Sequence, residues 1–446
     1  MMKPWIDAAT RNCIKKRSNY FILYKAGKMS RADYNRYRNF VTKEIRNKKK
    51  LYYDQKFREL GSNMKGTWNL INGIMGRNNR ETDEHFHLLD NSGEQIDDSK
   101  LIANSFNNFF VSIGQQILDS FSPQNTNFLS YLTDNYLDSF FVSPVSANSV
   151  KKIILSLKNK SCNARVLPVT ILKKISDILA PVLSELINKS LIQGKFPSIL
   201  KDAIVIPVHK DGSKHNVNNY RPISILSTYS KIFEKVMYSQ LSNYFEYKNI
   251  FNKNQYGFRS NKSTTQAMLS LLRDVYSSLD NENLYFSIFL DLKKAFDSVS
   301  HTILLSKLSH YGVRGAPLSW FRFYLSGRTQ RVFVNGETSC KRAVTCGVPQ
   351  GSVLGGLCFL IFFNDFHSAS NYFNCTLFAD DSTLSVKFPK QSLPEINLTI
   401  NRHLISVNNW LYANKLMLNS NKTKFMIFSY RGDYNLDAVR IGRLMK

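Results

Sequence analysis

Two aspartates stand side by side, Asp380 and Asp381, between the runs Cys375-Thr376-Leu377-Phe378-Ala379 and Thr383-Leu384-Ser385-Val386. Apolar, β-prone residues on both sides read as a β-hairpin with the acids at its tip. Adjacent like charges repel, and a carboxylate taken out of water without a partner is costly. A fold that keeps both acids on such a hairpin therefore has to bring a cation to them. The chain contains its own control: Asp97-Asp98 is also a pair, but it lies in a polar stretch and calls for nothing.

Two other segments belong with the hairpin. In Ser287-Ile288-Phe289-Leu290-Asp291-Leu292-Lys293-Lys294-Ala295-Phe296-Asp297 an apolar strand ends in Asp291 and a helix pattern follows. Alone, Asp291 reads equally as a helix N-cap. In Cys346-Gly347-Val348-Pro349-Gln350-Gly351-Ser352-Val353-Leu354-Gly355-Gly356, glycines on either side of Pro-Gln permit close backbone approach to a ligand. Gln350 offers both a donor and an acceptor, although a plain turn into a core helix would look much the same. In this order the three segments make a two-metal constellation. Two Mg²⁺ ions about 3.5 to 4 Å apart can clamp the attacking and leaving oxygens of an in-line phosphoryl displacement. Asp291 and Asp380 would be the bridging ligands, and Mg²⁺ favours a few carboxylates plus substrate phosphates.

Charge argues for a polyanionic partner, with a membrane surface as the competing reading. Of 446 residues, 60 are Lys or Arg and 33 are Asp or Glu, a formal charge of +27. Residues 1–50 hold 15 basic residues against Asp7, Asp33 and Glu44, with Tyr20, Phe21, Tyr24, Tyr34, Tyr37 and Phe40 interleaved. This reads as a helix with one basic and one aromatic face, a phosphate-tracking arm. An apolar content of 43 % is too high for a disordered chain. The longest apolar run, 353–363, is short of the roughly 18 residues of a membrane helix, and the N-terminus has no apolar signal region. The six cysteines, at 13, 162, 340, 346, 358 and 375, form no Cys-x-x-Cys pair, so neither a zinc site nor a disulfide framework is expected.

Along the chain, 76–100 reads as a linker or short hairpin, with Asn78-Asn79 and Ser92-Gly93. Helical spacing returns from Leu101 to Ile117, and again over 147–197 with breaks near Asn163 and Pro168. From 202 the texture becomes β-branched: Ala203-Ile204-Val205-Ile206-Pro207-Val208, a Lys210-Asp211-Gly212 turn, a return segment from Tyr220, then a helix over 227–247. Short strands inside a helical surround make the fold class α+β.

Over 200–430 the chain closely resembles the reverse transcriptases of jockey-like, non-long-terminal-repeat (LINE) retrotransposons. The segments around Asp291, Gln350 and Asp380 correspond to that family's polymerase motifs A, B and C. The likeness extends to Asn219-Tyr220-Arg221-Pro222-Ile223-Ser224, Asn254-Gln255-Tyr256-Gly257-Phe258-Arg259 with Ser263-Thr264, and Leu418-Asn419-Ser420-Asn421-Lys422-Thr423-Lys424, which resembles motif D. Upstream, Thr67-Trp68-Asn69-Leu70-Ile71-Asn72 and 102–110 resemble the family's linker.

The resemblance implies a right-hand polymerase with fingers and an antiparallel palm sheet. Its parts would be a basic helical region over 1–75, a linker and helix over 76–145, fingers with the start of the palm over 146–285, palm over 286–430, and the start of a thumb over 431–446. Asp291, Asp380 and Asp381 would be the catalytic aspartates. Two Mg²⁺ ions, with Mn²⁺ as a substitute, would be held by Asp291, Asp380 and the Leu292 carbonyl. Phe296 falls where the family places the ring that blocks a ribose 2′-hydroxyl, favouring dNTPs by steric clash. Gln350, with Gly351, would meet the incoming nucleotide or the template, and Lys210 and Arg221 the triphosphate, as a point charge and a fork. Lys422 would donate a proton to the leaving pyrophosphate. The reaction would be attack of a primer 3′-hydroxyl on the α-phosphorus of a dNTP, with RNA template and DNA primer or target as partners, no membrane, and an intracellular setting at nuclear DNA after ribonucleoprotein assembly in the cytoplasm.

Four departures from the pattern stand out. Lys160-Ser161-Cys162-Asn163-Ala164-Arg165 lacks an expected Gly-x-Asp, Phe378 stands for the commoner Tyr, and Gly356 for a usual Pro. No endonuclease precedes residue 1, and 65 residues follow Asp381, so the chain reads as a truncated copy. The alternative function is accordingly a catalytically poor remnant that binds nucleic acid. A basic arm that tracks phosphates makes RNA affinity steeply salt-dependent. Titrating a fluorescent single-stranded RNA into the full chain between about 50 and 200 mM salt should give a log–log slope of magnitude several or more; a flat plot contradicts the arm.

Overall fold

The structure is a computed structural model that describes residues 3–61, 63–75, 86–89, 94–122, 127–132, 136–159, 167–389 and 393–430. It falls into two compact units, Met1–Glu84 and His85–Lys446. In the first, α1 (Ala8–Lys25) starts where the Asp7 carboxylate accepts the Thr10 N–H at 2.8 Å. The helix stops before Gly27, whose φ of 72° turns the chain back. Ser30 then caps α2 (Arg31–Leu60), and Asn63 caps α3 (Met64–Ile74). The single basic helix read from the sequence is thus a helical hairpin. Four tyrosines meet between its helices: Tyr20 lies 4.8 Å from Tyr37, and Tyr24 stacks on Tyr34 at 5.5 Å. Thr10 and Val41 are the only buried residues of α1 and α2, so the rings join the helices and most basic side chains stay in solvent.

The second unit opens with the short pair β1 (Leu88–Leu89) and β2 (Gln95–Ile96), then α4 (Ser99–Asp119). The polar Asp97-Asp98 pair has ordinary work here: Asp98 accepts the Leu101 N–H as N-cap, and Asp97 accepts from Gln95 and pairs with His87. Helices α5 (Ala147–Ser156), α6 (Val169–Lys174) and α7 (Ser176–Gln193) follow. The break read at Pro168 is the start of α6, while Asn163 and its neighbours lie outside the described residues. Next come β3 (Asp202–His209), β4 (Tyr220–Ile225), α8 (Thr228–Tyr247), α9 (Thr264–Asp280) and β5 (Leu284–Leu290). After them run α10 (His301–His310), α11 (Gly315–Leu325), β6 (Arg328–Val334), β7 (Glu337–Thr338), β8 (Arg342–Val344) and α12 (Leu354–Phe363). The hairpin strands β9 (Asn374–Phe378) and β10 (Asp381–Phe388), α13 (Leu393–Ala413) and β11 (Lys424–Phe428) complete the unit. No helix follows Asp291 directly: residues 293–297 form turns and α10 begins only at His301.

The fold is α+β, with two main sheets. One is wholly antiparallel, in the order β11-β5-β10-β9. The other runs β4-β3-β6-β7 with β8 also on β6, and there β3 and β6 are parallel, a long-range pairing that no local pattern announces. Strand β5 lies at the heart of the larger core with α12, the apolar run 353–363. Ile102, Phe106 and Phe110 of α4 cover the mixed sheet at Val205, Tyr220 and Val332, forming a second core. Among the described residues no helix is long and apolar enough to cross a membrane.

Candidate active site

The ladder between β5 and β10 decides where the acids meet. Leu290 pairs with Ser382, so one step further Asp291 leaves β5 across from Asp381, the first residue of β10. Facing residues in such a pair sit about 4.5 to 5.5 Å apart at Cα. Asp380 occupies the hairpin turn with Ala379, whose φ is 59°. Burial pushes the Asp380 carboxyl up from its ordinary value, and the negative charges of Asp381 and Asp291 add to the effect. The positive charge of Arg221, on β4, opposes it.

Asp291 and the hairpin turn are held by neighbours for which no role was read from the sequence. The Asn419 side-chain amide donates to Asp291 Oδ2 at 2.8 Å, and its N–H donates to the Asp291 carbonyl at 2.7 Å. The turn from Asn419 to Thr423 thereby fixes Asp291 from the β11 side. On the hairpin side, Gln255 is 3 % exposed, and its Oε1 accepts both the Gly257 N–H at 2.8 Å and the Ala379 N–H at 2.9 Å. Gly257 carries no Cβ because one would lie 2.3 Å from the Ala379 nitrogen. Residues 254–257 thus form a brace along β9, with the Tyr256 N–H donating to the Leu377 carbonyl at 2.8 Å. These segments were visible as stretches of resemblance, but nothing in a one-dimensional pattern says that a Gln will reach a turn more than a hundred residues away.

The donor set suits a hard divalent cation. Among the described residues, neither the Asp380 carboxylate nor Asp291 Oδ1 accepts a hydrogen bond from another residue. The bonds flanking Leu292, Asn419 N–H to Asp291 and Lys293 N–H to Met417, leave the Leu292 N–H and carbonyl directed away from that segment, toward the β10 side. Among the described residues no three His, Cys, Asp or Glu side chains form a metal cage by themselves. The groups here that could hold such an ion are Asp291, Asp380 and the Leu292 carbonyl, and Mg²⁺ takes a few carboxylates together with substrate oxygens.

Basic groups flank the acids. Lys294, with φ of 49°, approaches the carbonyls of Asn218 and Tyr220 at 3.4 Å. Burial lowers its pKa, opposed by Asp297, while the positive charges of Lys210 and Arg221 lower it further. Lys210, Arg221 and Lys294 therefore form one cluster at the β3–β4 hairpin. Lys422 points to the same hairpin, 3.7 Å from Asp211, with both side chains about half exposed. Phe296 stacks on Phe359 of α12 at 4.6 Å and meets Phe258 edge-on at 6.1 Å. The Gln350 amide donates to Asp297 Oδ1 at 2.8 Å. The close approach expected at Gly351 is made by the protein itself. With φ of 114°, a Cβ there would sit 2.6 Å from the Ser224 carbonyl, so this glycine seats the loop on β4. Behind the loop, buried Glu234 accepts the Val353 and Leu354 N–H groups at 2.6 and 3.3 Å, holding the start of α12.

An antiparallel sheet that ends in clustered carboxylates, beside a hairpin rich in cations, is the framework of a nucleotide-handling protein. Residues 208–437, just over half of the chain, match the family of reverse transcriptases (RNA-dependent DNA polymerases), and the chain belongs to that family. Among curated proteins it is similar to the RNA-directed DNA polymerase from mobile element jockey of Drosophila melanogaster, 27 % identical over 330 residues, or 70 % of this chain and 35 % of that protein. It is also similar to the probable RNA-directed DNA polymerases from transposon BS, 29 % identical over 52 % of this chain and 26 % of that protein, and from transposon X-element, 32 % identical over 38 % and 19 %, both of the same fly. The chain thus spans between about a fifth and a third of the length of these relatives.

The brace at the hairpin tip has a direct test. Gln255→Ala leaves two N–H groups without an acceptor, at a cost of about 1 to 3 kcal/mol. Hydrogen exchange of peptides covering 374–382 should then speed up about tenfold or more. Exchange unchanged from the parent would show that Gln255 does not hold the turn.

Proposed function

We propose that this chain carries the polymerase centre of an RNA-directed DNA polymerase, extending a DNA primer on an RNA template with dNTPs. The antiparallel sheet that ends in the acids serves as palm, and the β3–β4 hairpin serves as part of the fingers. One juxtaposition carries the reading: Asp291, Asp380 and Asp381 from two separate stretches share one sheet end, with Arg221 beside them.

Asp291, Asp380 and the Leu292 carbonyl would hold the divalent ions, which when bound lower the pKa of an attacking hydroxyl and neutralise a leaving pyrophosphate. The chain's own groups do the rest. Arg221, Lys210 and Lys294 form a cationic cluster near the acids, and their fixed charges would favour a triphosphate beside them. Phe296, pinned by Phe359, offers a rigid ring as a barrier to a 2′-hydroxyl. Lys422, near Asp211, reaches the phosphate side rather than the acids, which suits either a proton donor or a phosphate contact.

The test is dNTP incorporation on a poly(rA)–oligo(dT) primer–template with Mg²⁺, parent beside Asp380→Asn. Incorporation should fall by at least about a hundredfold in the variant, while RNA affinity stays within about threefold, because Asp380 neutralises no phosphate. Equal rates would end the proposal. A parent that binds RNA but incorporates nothing would favour the binding remnant.

A further inference from the structure

Asp297 lies six residues beyond Asp291, and two elements, α4 and the 346–350 loop, converge on it. A Cβ on Gly114 of α4 would sit 2.2 Å from the Asp297 carbonyl oxygen, and one on Gly347 2.6 Å from the same atom. The Phe296 carbonyl, one residue before it, accepts the Val348 N–H at 2.8 Å, and the Cys346 thiol approaches the Asp297 carbonyl at 3.6 Å. Its partner is equally fixed. The Gln350 carbonyl accepts the Ser224 N–H at 2.7 Å, and Gly351 is pressed against the same residue. Two rigid backbones therefore meet at one side-chain bond, Gln350 Nε2 to Asp297 Oδ1 at 2.8 Å.

The chemistry of that bond has a direction. An ionised carboxylate has no proton and only accepts, so the amide must turn its NH₂ to Asp297. The Gln350 Oε1 is left over, and no described residue donates to it. We propose that Asp297 is a positioning residue that sets the polarity of the Gln350 amide. Oε1 is then the atom offered to the bound nucleotide, and the group recognised there is a hydrogen-bond donor, either a sugar hydroxyl or a base amine. This rests on the reading of the site as a nucleotidyl-transfer centre.

The polarity depends on the charge of Asp297. Burial pushes its carboxyl up to about 6, against the pull of Gln350 and Lys294. The other titratable and charged groups around it are the Cys346 thiol, raised mainly by burial, together with Arg328, which lines the same small cavity, and His301, which bonds the Gly347 carbonyl and is lowered by burial. Above about 6 the carboxylate accepts and Oε1 faces outward. Below it the protonated acid can donate, and the amide is free to turn its NH₂ outward.

Two measurements test this on the full chain. In single-nucleotide addition, Asp297→Leu should raise KM for dATP about tenfold with kcat within about threefold, as expected for a lost binding contact. In the parent, KM should rise as pH falls below about 6. In Asp297→Asn, KM should stay flat over the same range while kcat keeps the parent's profile. With 3′-deoxy-dATP the leucine penalty disappears if the donor is the sugar hydroxyl; with the analogue lacking the 6-amino group it disappears if the donor is the base amine. A penalty kept on both overturns the donor assignment. Selective ¹⁵N-glutamine labelling reads the amide without any activity. The Gln350 NH₂ resonance, assigned with Gln350→Ala, should titrate near pH 6 in the parent and not in Asp297→Asn. A resonance that does not titrate in the parent, or that titrates equally in both, overturns the proposal even where no incorporation is seen. Incorporation that fails beside a titrating amide counts against the polymerase reading instead.

Discussion

The pairing of Leu290 with Ser382 is the constraint on which the site depends. A strand register is all-or-nothing, because a slip of one residue turns every side chain to the opposite face. Such a slip would replace Phe286, Ile288 and Leu290 in the larger core by Tyr285, Ser287 and Phe289 of the opposite face. Hydrophobic burial at these positions therefore holds Asp291 beside Asp380 and Asp381 against their mutual repulsion. The acid cluster is a strained feature that the core enforces, and its excess negative charge is what makes the sheet end receptive to cations.

Around that sheet end, order is imposed from three sides. Asn419 and its turn hold Asp291, Gln255 and Gly257 hold the hairpin, and Gly351 seats the glutamine loop on β4. None of these residues carries charge. They fix backbone N–H and carbonyl groups, and through them the carboxylates, which is how a site on turns gains the rigidity of a site on strands. The β3–β4 hairpin joins this bracing through Ser224, and it carries Lys210 and Arg221 beside the half-buried Lys294.

Much of this was legible in the residue pattern, and what was not has physical causes. Strands β3, β4, β9 and β10 and helix α8 announce themselves through β-branched runs, turn residues and helical spacing, which are local signals. Asp291 and Asp380 were conspicuous because carboxylates on apolar flanks are expensive. The parallel pairing of β3 with β6 joins residues more than a hundred positions apart, and no local pattern encodes it. The turn after Asp291 read as helix because 292–297 has helical composition, while Lys294 adopts a left-handed backbone that composition does not reveal. The glycines of the loop read as room for a ligand; at Gly351 the room is filled by Ser224. The break at Gly27 went unread in a segment otherwise so uniformly basic and helical. Gln255, Asn419 and Asp297 were passed over because an amide or acid that works through another residue looks like any other polar residue until its partner is seen.

The claim that the two acid-bearing stretches act as one cation site has a direct measurement. Electron paramagnetic resonance of Mn²⁺, titrated into the full chain with primer–template and dNTP, reports free ion by its sharp signal. The parent should deplete that signal, and Asp291→Asn and Asp380→Asn should each weaken binding by about tenfold or more, the scale expected when a carboxylate is lost from a metal's surroundings. Equal Mn²⁺ affinity in the parent and both variants would contradict the account.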